Sequence, residues 1–332
     1  MNRAVERSRS PVMCPLPLDE HGRVRSPHPL PAALVGRTFE LDTARRLGVS
    51  DNRLRASDLT VPSKGIRTPS GEPPSLIEYA AAVLARTGEG WISHTTAAMI
   101  HGLWIPARLT HDELVHISRY DLLVGPRRQG VDGHQVRVHC SDLVRIDGLQ
   151  VSSPARTWFE LLPRLRRDEA VIIGDQLLRH PLPGIDRHTA PWSTPSELSD
   201  LVERNARRPG VRLGREVLPL LRQGSDSPSE TQLRLAIVGA GLPEPTPQLR
   251  LVQDDPLSPT ADLGYREQRI ALQHEGGHHR GPDQFSRDIR RDERWLAAGF
   301  RVIRSDVSDT RTGFARVLAI LRPLIGSAGH AA

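Results

Sequence analysis

Between Ile270 and His279 the chain reads IALQHEGGHH, and His274 to His278 within it spell HEGGH. Two histidines one helical turn apart, with a glutamate beside the first, would be the ligands and water-activating base of a zinc protease. That chemistry needs a helix. Two adjacent glycines cost a helix about 1 kcal/mol each relative to alanine, and the RGP that follows His279 would end it as it leaves the motif. The residues before the motif alternate instead, with Ile270, Leu272 and His274 on one side and Ala271, Gln273 and Glu275 on the other, as in a strand. An extended chain would part His274 from His278 by about 13 Å, too far for one zinc unless Gly276 and Gly277 turn it back. The protease reading is therefore set aside.

The same residues support a different chemistry. If DLGYREQRIALQHE is a hairpin with Arg266 opposite Arg269, Asp262 lies across from Gln273, and facing Cβ atoms are about 5 Å apart. One divalent ion could bridge them, and Glu275 would project from the same side as Gln273. An acid on one strand and an (E/Q)-x-(K/E) pair on the next is the metal arrangement of PD-(D/E)xK nucleases, in which Mg²⁺ activates water and offsets phosphorane charge.

From Ser227 to about Ile325, the runs SPSETQLRLAIVGAGLPEP, ADLGYREQRIALQHEGGHHR and RDIRRDERWLAAGFRVIR follow one another. In this order they resemble an uncharacterised family related to the very-short-patch-repair endonucleases. The resemblance covers the last third of the chain. It implies an α/β restriction-endonuclease-like fold, with Asp262 as main ligand of Mg²⁺ (or Mn²⁺) and Gln273 and Glu275 at the positions that follow. It further implies Glu230 as an accessory acid and His279 as proton donor or acceptor near the leaving group. The family usually has glutamate at position 273, aspartate at 275 and, in the commonest form of the motif, a lysine that is absent here. Glu230 also suits a capping box with Ser227, and His279 a polar loop. WISHTTAAMIHGLWIP through DEAVIIGDQLL is similar to regions likened to abortive-infection antitoxins with a winged-helix start.

The elements that must position these residues follow from periodicity. Ser227 as N-cap, Pro228 and Glu230 open a helix carrying Leu233, Ala236, Ile237 and Ala240, closed by the glycines of GAG. QLRLV, ADLGY and RIALQHE read as strands, DQFSRDIRRDERWLAAG as a helix with Phe285, Ile289 and Leu296 inward, FRVIR as a strand and GFARVLAILRPLI as a closing helix. The order is α-β-β-β-α-β-α over residues 226–326, with 327–332 a tail. Residues 74–225 mix helices (PSLIEYAAAVLART, TTAAMIHGLW, ARTWFELLPRL, DEAVIIGDQLL) with strands (ELVHIS, VRVHC, LQVS), an α+β region. Ser153 and Pro154 make a helix start there. His94, His101, His111, His116, His134 and His139 lie in this region without ligand spacing and read as ordinary surface or core residues.

In residues 36–73, Leu41, Ala44 and Leu47 space as one helix stopped by Gly48, and Ser50 can cap a second helix holding Leu54. With TVPSKGIRTP as a wing this is a winged helix-turn-helix pattern that would turn Arg53, Arg55, Lys64 and Arg67 toward phosphates. A helical hairpin with solvated arginines fits equally. Residues 1–35 read as a disordered leader.

Composition bounds the rest. The 332 residues suffice for two domains, and the net charge of +6 leans toward a polyanion such as DNA. Lys64 is the only lysine, so the basic surface is arginine, including Arg287, Arg290, Arg291 and Arg294 at helical spacing, interleaved with Asp288, Asp292 and Glu293. Two distant cysteines exclude a disulfide scaffold or CxxC metal site. With no signal-peptide core and no membrane-length apolar run, the expectation is a cytoplasmic protein.

Overall fold

The computed structural model describes residues 27–71, 74–110, 114–120, 125–182, 184, 186, 188–255, 257–275 and 282–326. The chain divides after Arg86 into two units.

In the first unit, β1 (Phe39–Glu40) runs into α1 (Leu41–Arg46), followed by β2 (Leu59–Thr60), β3 (Ile66–Pro69) and α2 (Leu76–Thr87). The strands form an antiparallel sheet ordered β1-β3-β2. Asp42 in the first turn of α1 and Arg45 and Arg46 in the last suit the helix dipole, and Gly48 at φ +81° stops the helix as its position predicts. The expected second helix does not form. Ser50 Oγ does accept the Arg53 N–H at 3.3 Å, but only a 3-10 turn, Arg53–Arg55, results. Leu54 is the only large apolar side chain between Asp51 and Asp58, so no apolar stripe extends a helix, and the surrounding Asp, Asn and Ser compete for backbone groups. Leu54 closes the small core with Leu34, Phe39, Ala44, Val49 and Leu59.

Among its described residues the second unit holds two sheets. β4 (Trp91–Ile92), α3 (His94–His101), α4 (Ala107–Thr110), β5 (Val115–Tyr120), β6 (Val131–Val136), β7 (Leu143–Ile146) and β8 (Leu149–Ser152) build a five-stranded mixed sheet ordered β6-β5-β4-β8-β7. The strand expected at VRVHC lies earlier, because pairing with β5 runs in parallel from Val115↔Val131 to Tyr120↔Val136. Helices α5 (Pro154–Leu161), α6 (Arg167–Leu178), α7 (Pro195–Arg204) and α8 (Val211–Val217) follow. Ser153 caps α5 by accepting the Arg156 N–H at 3.2 Å. Trp158, Leu161, Val171, Ile173, Leu198 and Val202 are among the residues of their common core, which Leu235 of the next helix joins.

That helix, α9 (Pro228–Gly239), begins the expected α-β-β-β-α-β-α series. β9 (Thr246–Arg250), β10 (Thr260–Tyr265), β11 (Ile270–Glu275), α10 (Pro282–Ala297), β12 (Arg301–Asp306), a short α11 (Val307–Arg311) and α12 (Ala315–Gly326) complete it. The sheet order is β12-β11-β10-β9, with β11 parallel to β12 and the other pairs antiparallel. One face packs Leu263, Ile270 and Leu272 against Leu233 and Ile237 of α9 and Val317 and Leu321 of α12. The other packs Leu249, Ala261 and Ala271 against Trp295 of α10 and Phe300. The inward side of α10 differs from its expected one: Ile289 and Leu296 are 42% and 58% exposed, Trp295 is fully buried, and the Phe285 side chain is outside the described residues. No helix among the described residues is long and apolar enough to cross a membrane.

Candidate functional site

Asp262 sits where the second sheet loses its regularity. β10 and β11 pair at Tyr265↔Ile270, Gly264↔Ala271 and Leu263↔Leu272, the register expected for a two-residue turn between Arg266 and Arg269. At the next step the Asp262 carboxylate itself accepts the His274 backbone N–H, at 2.6 Å. Ala261 and Leu263, two residues apart, should share a face. They pack instead in opposite clusters, and Gln248 on neighbouring β9 is left-handed at φ +48°. Such breaks re-aim side chains at sheet edges and active sites.

Glu230 meets Asp262 from the first turn of α9. Ser227 Oγ accepts the Glu230 N–H at 3.3 Å, the capping half of the expected box. The reciprocal half is shifted by one residue: Glu230 accepts the Asp226 N–H at 2.9 Å and the Ser227 hydroxyl at 2.8 Å. Burial, and then the charge of Asp262, push the Glu230 carboxyl up to about 8. Below that pH Glu230 is held as the neutral acid beside Asp262. An acid whose folded pKa is raised stabilises the fold fully below its unfolded value of 4.5, and that contribution is lost as pH rises toward about 8. In metal-free buffer, Glu230→Gln should remove this slope. Its thermal midpoint should exceed that of the wild type by several degrees at about pH 9 and much less at about pH 5, since 1 kcal/mol moves such a midpoint by roughly 2–4 °C. Parallel curves would show that Glu230 carries no buried charge.

Gln273 is 2% exposed. Its Nε2 donates to the Thr260 carbonyl at 3.3 Å, which orients the amide, and its Oε1 is buried with no hydrogen-bond partner. Glu275 is engaged elsewhere, in an ion pair with Arg304, whose Nε also donates to Asp292 at 2.8 Å. Glu230 thus lies within reach of the charge of Asp262, Gln273 contacts Thr260, and Glu275 is bound to arginine. His274 and Glu275 lie on a strand, where the protease reading needs a helix, and His274 Nδ1 meets Ser305 Oγ at 2.9 Å. His278 and His279 are outside the described residues.

The candidate nucleic-acid contacts divide by environment. Arg53 forms a bidentate pair with Asp58 at 2.8 and 2.7 Å, and Arg67 donates to the Leu54 and Ile66 carbonyls at 2.8 and 2.9 Å. Arg55 and Lys64 are exposed. On α10, Arg290 and Arg294 are exposed, Arg291 is half-buried, and the Arg287 side chain is outside the described residues.

One group of residues escaped sequence reasoning. His94 opens α3, His116 lies on β5 and His134 on β6, and the fold stacks their rings, with 3.6 Å between the His94 and His134 centroids. His116 Nδ1 and His134 Nε2 share a hydrogen bond of 2.9 Å. Burial holds His94 well below the ordinary imidazole range, reinforced by His134 and His116, and lowers His134 against the opposing pull of Asp132. Spacings of 22 and 18 residues carry no ligand signature; the only trace is a histidine inside the apolar strand VHIS. The remaining described histidines of the region include His101, whose Nε2 donates to the Ser152 carbonyl at 2.7 Å, and His139, which caps a 3-10 turn. His111 is outside the described residues.

No family model matches the chain, and no solved structure does. The chain is similar to two uncharacterized proteins from two strains of Mycobacterium tuberculosis, Rv2248 and MT2308, each 27% identical over 178 residues. The alignment covers 53% of this chain and 62% of each relative, so less than two thirds of the relatives' length is spanned.

Proposed function

We propose that residues 226–326 form a restriction-endonuclease-like core of the PD-(D/E)xK type that hydrolyses phosphodiester bonds in DNA with Mg²⁺ or Mn²⁺. The observation that carries this reading is the Gln273 amide oxygen, buried without a donor next to the segment that holds Asp262. A buried acceptor left unmade costs about 1–3 kcal/mol, a cost that a cation would offset. The donor set fits a hard divalent ion: a carboxylate at Asp262, a buried acid at Glu230 and an amide oxygen, with no sulfur or nitrogen among them. Mg²⁺ bound there would supply charge for the attacked phosphate and acidify a water. Asp262, held by the His274 N–H, would orient that charge, and Glu230, near neutral in affinity for its proton, could take or hold one. Exposed Arg290 and Arg294 offer phosphate contacts on the helix that follows β11.

A second reading has its own support. Glu275 is held by Arg304, and position 273 lacks the usual glutamate, so the domain could bind DNA without cutting it. Metal titrations of wild type and Gln273→Glu, read by plasmid nicking and thermal unfolding, separate the two. A working site gains a negative ligand, and the Mg²⁺ concentration for half-maximal nicking should fall by about 10-fold, equivalent to about 1.4 kcal/mol. A site that binds no ion only adds repulsion, so the variant would melt earlier and respond to neither metal. That outcome would leave the DNA-binding reading standing.

A further inference from the structure

We propose that His94, His116 and His134 bind one divalent transition-metal ion, zinc being the natural occupant, with Asp132 as the nearest fourth donor. One ligand atom from each imidazole lies within 4.8 Å of those of the other two, and among the described residues no other set of three His, Cys, Asp or Glu does so. They come from three separate elements: the first residue of α3 and the two parallel strands β5 and β6, where His116 pairs with Asp132 and Ser118 with His134. The fold spends energy to bring them together. His94 has φ +50°, a left-handed conformation that costs a residue with a Cβ about 1–2 kcal/mol and persists where surrounding structure imposes it. That structure is visible: Glu160 Oε2 accepts the His94 N–H at 3.1 Å, and Glu160 Oε1 is itself fixed by Arg156 Nε at 3.0 Å and the Ser152 hydroxyl at 3.2 Å.

The donor geometry suits zinc. Ligands bound at 2.0–2.1 Å to a tetrahedral ion stand about 3.3 Å from one another. His116 Nδ1 and His134 Nε2 are 2.9 Å apart, and the two Asp132 oxygens lie 3.6 Å from the first and 3.7 Å from the second. Ser93 Oγ, which also accepts the Ser118 hydroxyl at 2.7 Å, holds His94 Nδ1 at 3.0 Å and leaves Nε2 for the ion. Orientation of a ligand imidazole through its other nitrogen is the usual outer shell of such sites. Coordination requires the His94 ring to turn out of its stack on His134. A cavity of about 420 Å³, lined by His94, His134, Gln135, Arg156 and Arg208 among others, gives it room to do so and gives the ion a route in. Neutral imidazole is the ligand form, and nitrogen donors select Zn²⁺, Co²⁺ or Ni²⁺ over Mg²⁺, so this site and the carboxylate region would take different metals.

The test uses the full chain, stripped with chelator and titrated with Co²⁺ and then Zn²⁺, and followed by visible absorption, calorimetry and thermal unfolding. One equivalent of Co²⁺ should bind with the ligand-field bands of a low-coordinate nitrogen site, be displaced by Zn²⁺ and persist in excess Mg²⁺. His134→Ala should weaken uptake by at least about 100-fold and Asp132→Asn by about 10-fold, whereas Asp262→Asn should leave it unchanged. His278→Ala/His279→Ala removes the competing histidine pair and should also have no effect. If His134→Ala does not fold, as judged by circular dichroism, His134→Gln takes its place, because that side chain is partly exposed. Absence of stoichiometric Co²⁺, uptake that survives the His134 variants, or uptake lost with His278 and His279 would each overturn the proposal.

Discussion

If residues 226–326 act as the nuclease proposed above, Asp262→Asn is expected to remove metal-dependent nicking, lowering it by at least about 1000-fold, because the ion would lose its principal charged ligand. The fold should survive. The asparagine side-chain oxygen is isosteric with the carboxylate oxygen that accepts the His274 N–H, so the bond that ends the β10–β11 pairing persists in weakened form. A second consequence distinguishes a ligand from a merely structural acid. Asp262 is one of the groups that raise the Glu230 carboxyl, so its neutralisation should bring Glu230 down from about 8 toward the ordinary range. The loss of stability with rising pH should then be confined to a narrower window. Nicking assays and pH-dependent melting on the same preparation measure both effects. Cleavage that survives the substitution, or that continues in excess chelator, would end the nuclease reading.

The largest effect on stability should come from Asp175→Ala. Asp175 on α6 and Arg234 on α9 form a buried ion pair at 2.6 Å, their side chains 1% and 2% exposed. Asp175 also accepts the Thr231 hydroxyl at 2.9 Å and the Arg222 N–H at 2.7 Å. Burial raises the Asp175 carboxyl despite these partners, a sign that desolvation outweighs attraction at this pair. A pair of this kind adds little net stability over apolar residues of equal volume, but breaking it strands the survivor. The loss of Asp175 should cost about 3–5 kcal/mol, with Arg234 left to Glu244 alone at 2.9 Å. Urea unfolding of Asp175→Ala beside the double variant Asp175→Leu/Arg234→Met gives the check. The double variant should recover most of the loss, and equal losses in both would point to packing and not to charge.

Much of this architecture could be read from residue patterns. The series of elements from α9 to α12 follows from a cap, alternating strands and glycine stops, and the hairpin register follows from its two-residue turn. What escaped depends on contacts distant in sequence. The 3-10 turn at Arg53–Arg55 replaced a helix because one leucine is too little apolar surface, a defect that a capping signal conceals. The β7 strand has a legible mark in Asp147-Gly148, both at positive φ as such hairpin turns require. For α10, the aliphatic residues suggested one inward side and Trp295 took the other, because the sheet offered small Ala261 and Ala271 beneath it. Of the candidate site, Glu230 lies within reach of the Asp262 charge, whereas the capture of Glu275 by Arg304 depends on β12 lying parallel to β11. The three histidines had no ligand spacing, only the mark of His116 inside an apolar strand; the pairing of β5 with β6 brings two of them together.

Helix α9 carries Glu230 in its first turn and, one turn later, points Arg234 into α6. The same rigid rod therefore carries a buried carboxyl at one end and is bolted to the preceding helices. A fragment cut just before Ser227 would bring away an arginine whose counter-charge stayed behind, together with Leu235, which belongs to the other core. The last third of the chain is thus not a transplantable cassette. Fusions, tags and limited digests that respect the boundary suggested by sequence motifs would sever a shared interior, and recombination there would be tolerated only if α6 travelled with its partner.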